Sequence, residues 1–167
     1  LITDNGGAVI KTIGDAIMAS FESSEQGVNA GIAMQQALRE HNKSRDERDK
    51  LLVRIGLNTG LGIVEKNDVF GDVVNVAARV EGQCEPGQVL ISESVFNDVR
   101  RSEDIICRHH KVATVRGKEE AIKLFRVVWA PEEELLVTTD KTRGTATLRS
   151  TRRVISLDVS REGDHVK

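Results

Sequence analysis

The stretch Asn67–Arg79, NDVFGDVVNVAAR, decides how the rest of the chain is read. Gly71 supplies a turn, and Asp72 is a good N-cap for a helix beginning at Val73. Val73, Val76, Ala77 and Val80 then recur at i, i+3, i+4 and i+7, one apolar stripe that faces a core. Asn75 and Arg79 lie four apart on another face of the same helix and can reach one object in front of it. An amide and a guanidinium together suit an anionic, oxygen-rich ligand, and a capped, solvated helix face is the plain alternative.

Upstream, Gly6–Phe21 reads GGAVIKTIGDAIMASF, two apolar runs flanking Gly14-Asp15. Glycine at the first central position suits a two-residue hairpin turn, with Ala8–Ile13 and Ala16–Phe21 as the strands. Asp15 is then held at the hairpin tip. Lys11 falls inside the first strand, where a lysine is awkward unless its head reaches water or a ligand. The plain alternatives are a turn residue and an edge-strand charge.

Together, KTIGDAIMASF and NDVFGDVVNVAAR resemble the catalytic domain of class III nucleotidyl cyclases of the bacterial adenylate cyclase type. The resemblance runs over about residues 6–128 and includes RIGLNTG at Arg54–Gly60, PGQVLIS at Pro86–Ser92 and VRGKEEAIKLFRV at Val115–Val127. It implies an α+β, ferredoxin-like core and an adenylate cyclase that converts ATP to 3′,5′-cyclic AMP and pyrophosphate, with two Mg²⁺ or Mn²⁺ ions at a dimer interface. By the same resemblance Asp15 binds metal, Lys11 and Asp68 read the adenine, Asn75 serves the ribose, Arg79 the transition state and Lys118 the triphosphate. One sequence carries both halves of such a site, so a homodimer with two equivalent sites is expected. The family shares its metal ions between two aspartates, the first on an opening strand that this sequence lacks. The chain therefore reads as a fragment, missing its first strand and silent by itself. A nucleotide-binding or dimerising module without turnover is the main alternative. A guanylate cyclase is disfavoured by Lys11 and Asp68, since guanine presents the reverse donor and acceptor pattern.

Composition narrows the class further. A chain of 167 residues holds one domain and a tail, and 39% hydrophobic with 30% charged residues is ordinary for a globular protein. A net charge of -2 argues against a general nucleic-acid binder. Cys84 and Cys107 lie far apart with no metal-ligand spacing, as expected of free thiols in a reducing cytoplasm. No apolar run approaches the roughly 18 residues of a membrane span, so any membrane attachment is expected to come from upstream segments.

Along the chain, Ser23 with Gln26 forms a capping box for a helix whose apolar stripe is Ala30, Ala33, Met34, Ala37 and Leu38. The charged run Lys43–Lys50 is a solvated loop, and Val53, Ile55 and Leu57 alternate as a half-buried strand with a partner near Gly62–Glu65. Val89–Ser92 is a short strand, and Ser92 caps a helix over Glu93–Val99. Ile105–Val115 and Ile122–Trp129 are antiparallel strands. The order suggests helices on one face of a largely antiparallel sheet. His109 and His110 are adjacent in a strand, point to opposite sides and are read as structural. The expected domains are a cyclase domain over 1–130, a polar linker over 131–145, and the start of a second β-rich module over 146–167, faintly similar to a forkhead-associated domain.

Overall fold

The structure, a computed structural model, describes residues 1–65, 68–114, 121–130 and 153–161. The chain opens with the hairpin β1 (Gly7–Ile13) and β2 (Ala16–Phe21). Gly14 takes φ +62° at the turn, the left-handed conformation that a two-residue hairpin demands of its first central residue. Helix α1 (Ser24–Asn42) begins with the expected reciprocal capping box between Ser23 and Gln26. Then follow β3 (Leu51–Leu57), the small hairpin β4 (Ile63–Glu65) and β5 (Asp68–Phe70), and α2 (Asp72–Glu81). Strand β6 (Val89–Ser92) leads into α3 (Glu93–Val99), capped by Ser92, and the antiparallel pair β7 (Ile106–Thr114) and β8 (Ala121–Val128) comes next. Strand β9 (Arg153–Arg161) is the last among the described residues.

Seven strands form one sheet in the order β1-β2-β9-β3-β6-β8-β7. Every neighbouring pair is antiparallel except β3 and β6, whose parallel pairing requires a crossover, and α2 lies in that connection. The α+β class and largely antiparallel sheet match the expectation.

The helices, however, lie on both faces. Helices α1 and α3 place Val28, Ala30, Val95 and Val99 against Val53, Ile55, Leu57, Val89, Ile91 and Val127. Helix α2 covers the opposite face, where Val80 and Cys84 meet Leu90, Ala113 and Leu124. Successive strand residues point to opposite faces, so Val89 and Ile91 serve the first layer while Leu90 serves the second. Each such side chain, fully buried, contributes about 1.5–3 kcal/mol. Gly56 lets α2 approach closely, because a Cβ there would lie 2.2 Å from the Glu81 backbone nitrogen.

Two local details also depart from the sequence reading. The core face of α1 includes Gly31 and Gln35, while Ala37 is exposed. Gly31 allows close packing on Val89 and Ile55, and Gln35 donates through Nε2 to the Val53 carbonyl at 2.8 Å, which satisfies a buried polar side chain. Helix α2 starts one residue early: Gly71, at φ +125°, is the N-cap, and Asp72 is the first helical residue, favourably placed at the positive end of the helix dipole.

The sequence reading assigns 146–167 to the start of a further module. In the structure, residues 153–161 lie in the same sheet as β1–β8, between β2 and β3, with Ile17 opposite Leu157 and Arg54 opposite Asp158. The remainder of that assignment, the linker included, lies outside the described residues.

Candidate active site

Three elements converge where the site residues sit. Met18 of β2, Val69 of β5 and Val73 of α2 form a small buried cluster, joined by Ile10 and Val74. It holds the opening hairpin against β5 and the start of α2, so residues far apart in sequence become neighbours. Lys11 and Asp68 meet directly: Lys11 Nζ donates to Asp68 Oδ2 at 2.6 Å, and both side chains are partly buried. Asp68 Oδ1 also accepts from the Val69 backbone N–H at 2.8 Å. The Lys11 hydrogen bond, then the Val69 bond, hold the Asp68 carboxyl below its ordinary range, so it stays ionised at neutral pH.

Asn75 and Arg79 stand one turn apart on α2, as their spacing requires. Asn75 is exposed and available to a ligand. Arg79 is half-buried, and its Nη1 is buried without a hydrogen-bond partner. A buried, unpaired guanidinium nitrogen costs free energy that an arriving anion would recover. Asp15 is exposed at the hairpin tip. Lys118 lies outside the described residues.

Among the described residues no group of three or more His, Cys, Asp or Glu side chains gathers to hold a metal. Mg²⁺ does not require one, because it is commonly held by one or two carboxylates together with substrate phosphates. An accessible Asp15 fits that mode. Strand β9 runs past Leu157, the partner of Ile17, toward the Gly14-Asp15 turn. The sequence reading did not place it there, because nothing local to residues 153–161 names β2 and β3 as neighbours.

The thiols take no part: burial pushes both Cys84 and Cys107 up to about 12. His109 stands edge-on to Phe125 with ring centroids 5.7 Å apart. His110 is lowered by burial and then by the neighbouring Lys111 and Arg126 charges, consistent with a structural role. Among the described residues no helix is long and apolar enough to cross a membrane.

A hairpin carboxylate and a lysine and aspartate pair thus stand near a helix that presents an amide and a guanidinium. The chain belongs to the adenylate and guanylate cyclase catalytic domain family, which it matches over residues 1–127. A putative adenylate cyclase of Rhizobium meliloti is 33% identical over 133 residues, covering 80% of this chain and 22% of that protein. An adenylate cyclase of Anabaena cylindrica is 36% identical over 145 residues, covering 75% of this chain and 29% of that protein. The chain thus spans under a third of the length of these two relatives. Among solved structures, an adenylate/guanylate cyclase/hydrolase from Silicibacter pomeroyi superposes with a TM-score of 0.71 at 29% identity, covering 76% of this chain and 75% of that one.

Proposed function

We propose that this domain is an adenylate cyclase, forming 3′,5′-cyclic AMP and pyrophosphate from ATP. The observation that carries this reading is the Lys11–Asp68 pair, a donor and an acceptor held side by side next to the helix that bears Asn75 and the unpartnered Arg79 Nη1. Lys11 donates to adenine N1, and Asp68 accepts from the exocyclic amine. Asn75 orients the ribose. Arg79 binds charge that develops on the phosphate oxygens as the ribose 3′-oxygen attacks the α-phosphorus, an interaction that raises the rate more than it tightens substrate binding. Lys118 contacts the triphosphate.

Asp15 would hold Mg²⁺ or Mn²⁺ beside the phosphates. When bound, a pair of such ions lowers the pKa of the attacking hydroxyl and neutralises the leaving pyrophosphate.

The site is shared between two copies of the domain. On the β4–β5 hairpin that carries Asp68, Ile63 and Phe70 are exposed, as is Leu61 just before it, by 82%. Clustered exposed apolar side chains beside a functional site mark an interaction surface. A second copy brings its own Asn75 and Arg79 to the Asp15 of the first.

The test is conversion of ATP to cyclic AMP, with Mg²⁺ or Mn²⁺, by this domain joined to an opening strand that carries the second metal aspartate, followed by chromatography and mass spectrometry. Activity lost in Arg79→Ala with nucleotide binding largely retained is the expected result. Nucleotide binding with no turnover under any metal would make the domain a binding module.

A further inference from the structure

A cavity lies apart from this site and shares no residue with it. It has a volume of about 360 Å³, within the range of about 300–1,000 Å³ typical of small-molecule sites, and lies between the C-terminal half of α1, the start of β3 and the end of β8. Four cationic residues line it, Arg39, Lys43, Arg45 and Lys50, and among the described residues no carboxylate does. Leu38, Leu51 and Trp129 supply apolar walls.

The walls are fixed, and their polar groups are already used. Asn42 Nδ2 donates to the Leu51 carbonyl at 2.8 Å, and the Leu51 N–H donates to Asn42 Oδ1 at 2.9 Å, which stitches the end of α1 to β3. Trp129 Nε1 donates to the Gly87 carbonyl at 3.0 Å and thereby sets its indole plane. What remains to meet a guest is apolar surface beside Lys43, Arg45 and Lys50. Lys43 pairs with Glu40 and Lys50 with Glu47, but both glutamates are exposed, and surface pairs of this kind are weak enough for an incoming anion to displace. Complementing the α1 dipole accounts for Arg39 and Lys43 near the helix C-terminus. It does not account for Arg45 and Lys50, which lie beyond the helix.

We propose that this cavity binds a small organic anion with an apolar body, a medium-chain or aromatic carboxylate, its head against Arg45 and Lys50 and its body against Trp129 and Leu51. The site is independent of the cyclase reading and stands or falls separately from it.

Trp129 is the single tryptophan of the chain, so its emission reports on the cavity directly. The probe is decanoate below its micellar concentration, with decyltrimethylammonium and inorganic phosphate as counterparts and calorimetry alongside. Decanoate is expected to shift Trp129 emission saturably, while neither counterpart does so at the same concentration. Replacing Arg45 and Lys50 together by Gln should weaken decanoate roughly tenfold, as loss of two charge-assisted contacts implies, with an unchanged circular dichroism spectrum. Should the double variant fold poorly, Arg45→Gln alone should still weaken binding severalfold. An equal response to the cationic amphiphile, no saturable response, or unaltered affinity in a folded variant would overturn the proposal. So would an affinity that rises sharply when Glu132, Glu133 and Glu134 are changed to Gln, since the chain's own acidic stretch would then be the occupant.

Discussion

Lys11 Nζ and Asp68 Oδ2 stand 2.6 Å apart although 57 residues separate them in the chain. This contact explains why a lysine sits inside a β-strand. It also means that a donor and an acceptor are oriented against each other before any ligand arrives, so little ordering is left for a base to impose.

If this pair reads adenine, ATP should be turned over in preference to GTP by a large factor, because each mismatched buried donor or acceptor costs about 1–3 kcal/mol. Lys11→Glu combined with Asp68→Cys should lower ATP turnover first. Competitive assays with both nucleotides check this, and comparable turnover of the two by the unmodified protein would end the assignment.

The same contact predicts a pH effect. Asp68 has a folded-state pKa below its ordinary 3.8, so its ionised form favours the folded chain. That contribution is fully present above about pH 4 and is lost as pH falls through the depressed folded value. Urea titrations of the protein and of Lys11→Met should therefore differ more at pH 6 than at pH 2.5. A gap of equal size at both pH values would show that the pair does not set the ionisation of Asp68.

In the domain joined to its opening strand, Asp15→Ala and Arg79→Ala should each abolish cyclisation alone, and a mixture of the two variants should regain part of it. One heterodimer site would then combine an intact Asp15 with an intact Arg79. If the mixture stays inactive while subunits demonstrably exchange, both residues act within one chain.

Gly56→Ala should destabilise the fold by roughly 2 kcal/mol or more, the upper range for overpacking, because the new Cβ meets backbone atoms of α2 and not a movable side chain. Chemical denaturation measures this directly. A variant as stable as the parent would show that α2 sits further from β3.

The place of β9 is checked by cross-linking Met18→Cys to Ser156→Cys, a directly opposed pair on β2 and β9. Mild oxidation should yield a disulfide within one chain. Cys84 and Cys107, with thiols pushed to about 12 by burial, should stay unreacted at pH 8. A bond found only between chains would mean that the strand is exchanged between copies.

Several elements were legible because their causes are local. The glycine-led hairpin turn, the Ser23–Gln26 capping box, the Ser92 cap and the 3.6-residue stripe of α2 each depend on residues a few positions apart, and the structure shows all four. The nearness of Asn75 and Arg79 was legible for the same reason, since four residues apart they need only one helix to share a face. Only the tertiary structure decided which surfaces meet. Alternation along a strand tells which residues point together, but not which strand lies alongside, so the insertion of β9 between β2 and β3 and the division of helices between two faces could not be read from pattern. The Lys11–Asp68 contact belongs to the same class, because it forms only after the Met18, Val69 and Val73 cluster has brought the hairpin onto β5 and α2. Gln35 shows the limit in one residue: polar by type, it is buried because the carbonyl of Val53, on another element, is there to accept its hydrogen bond.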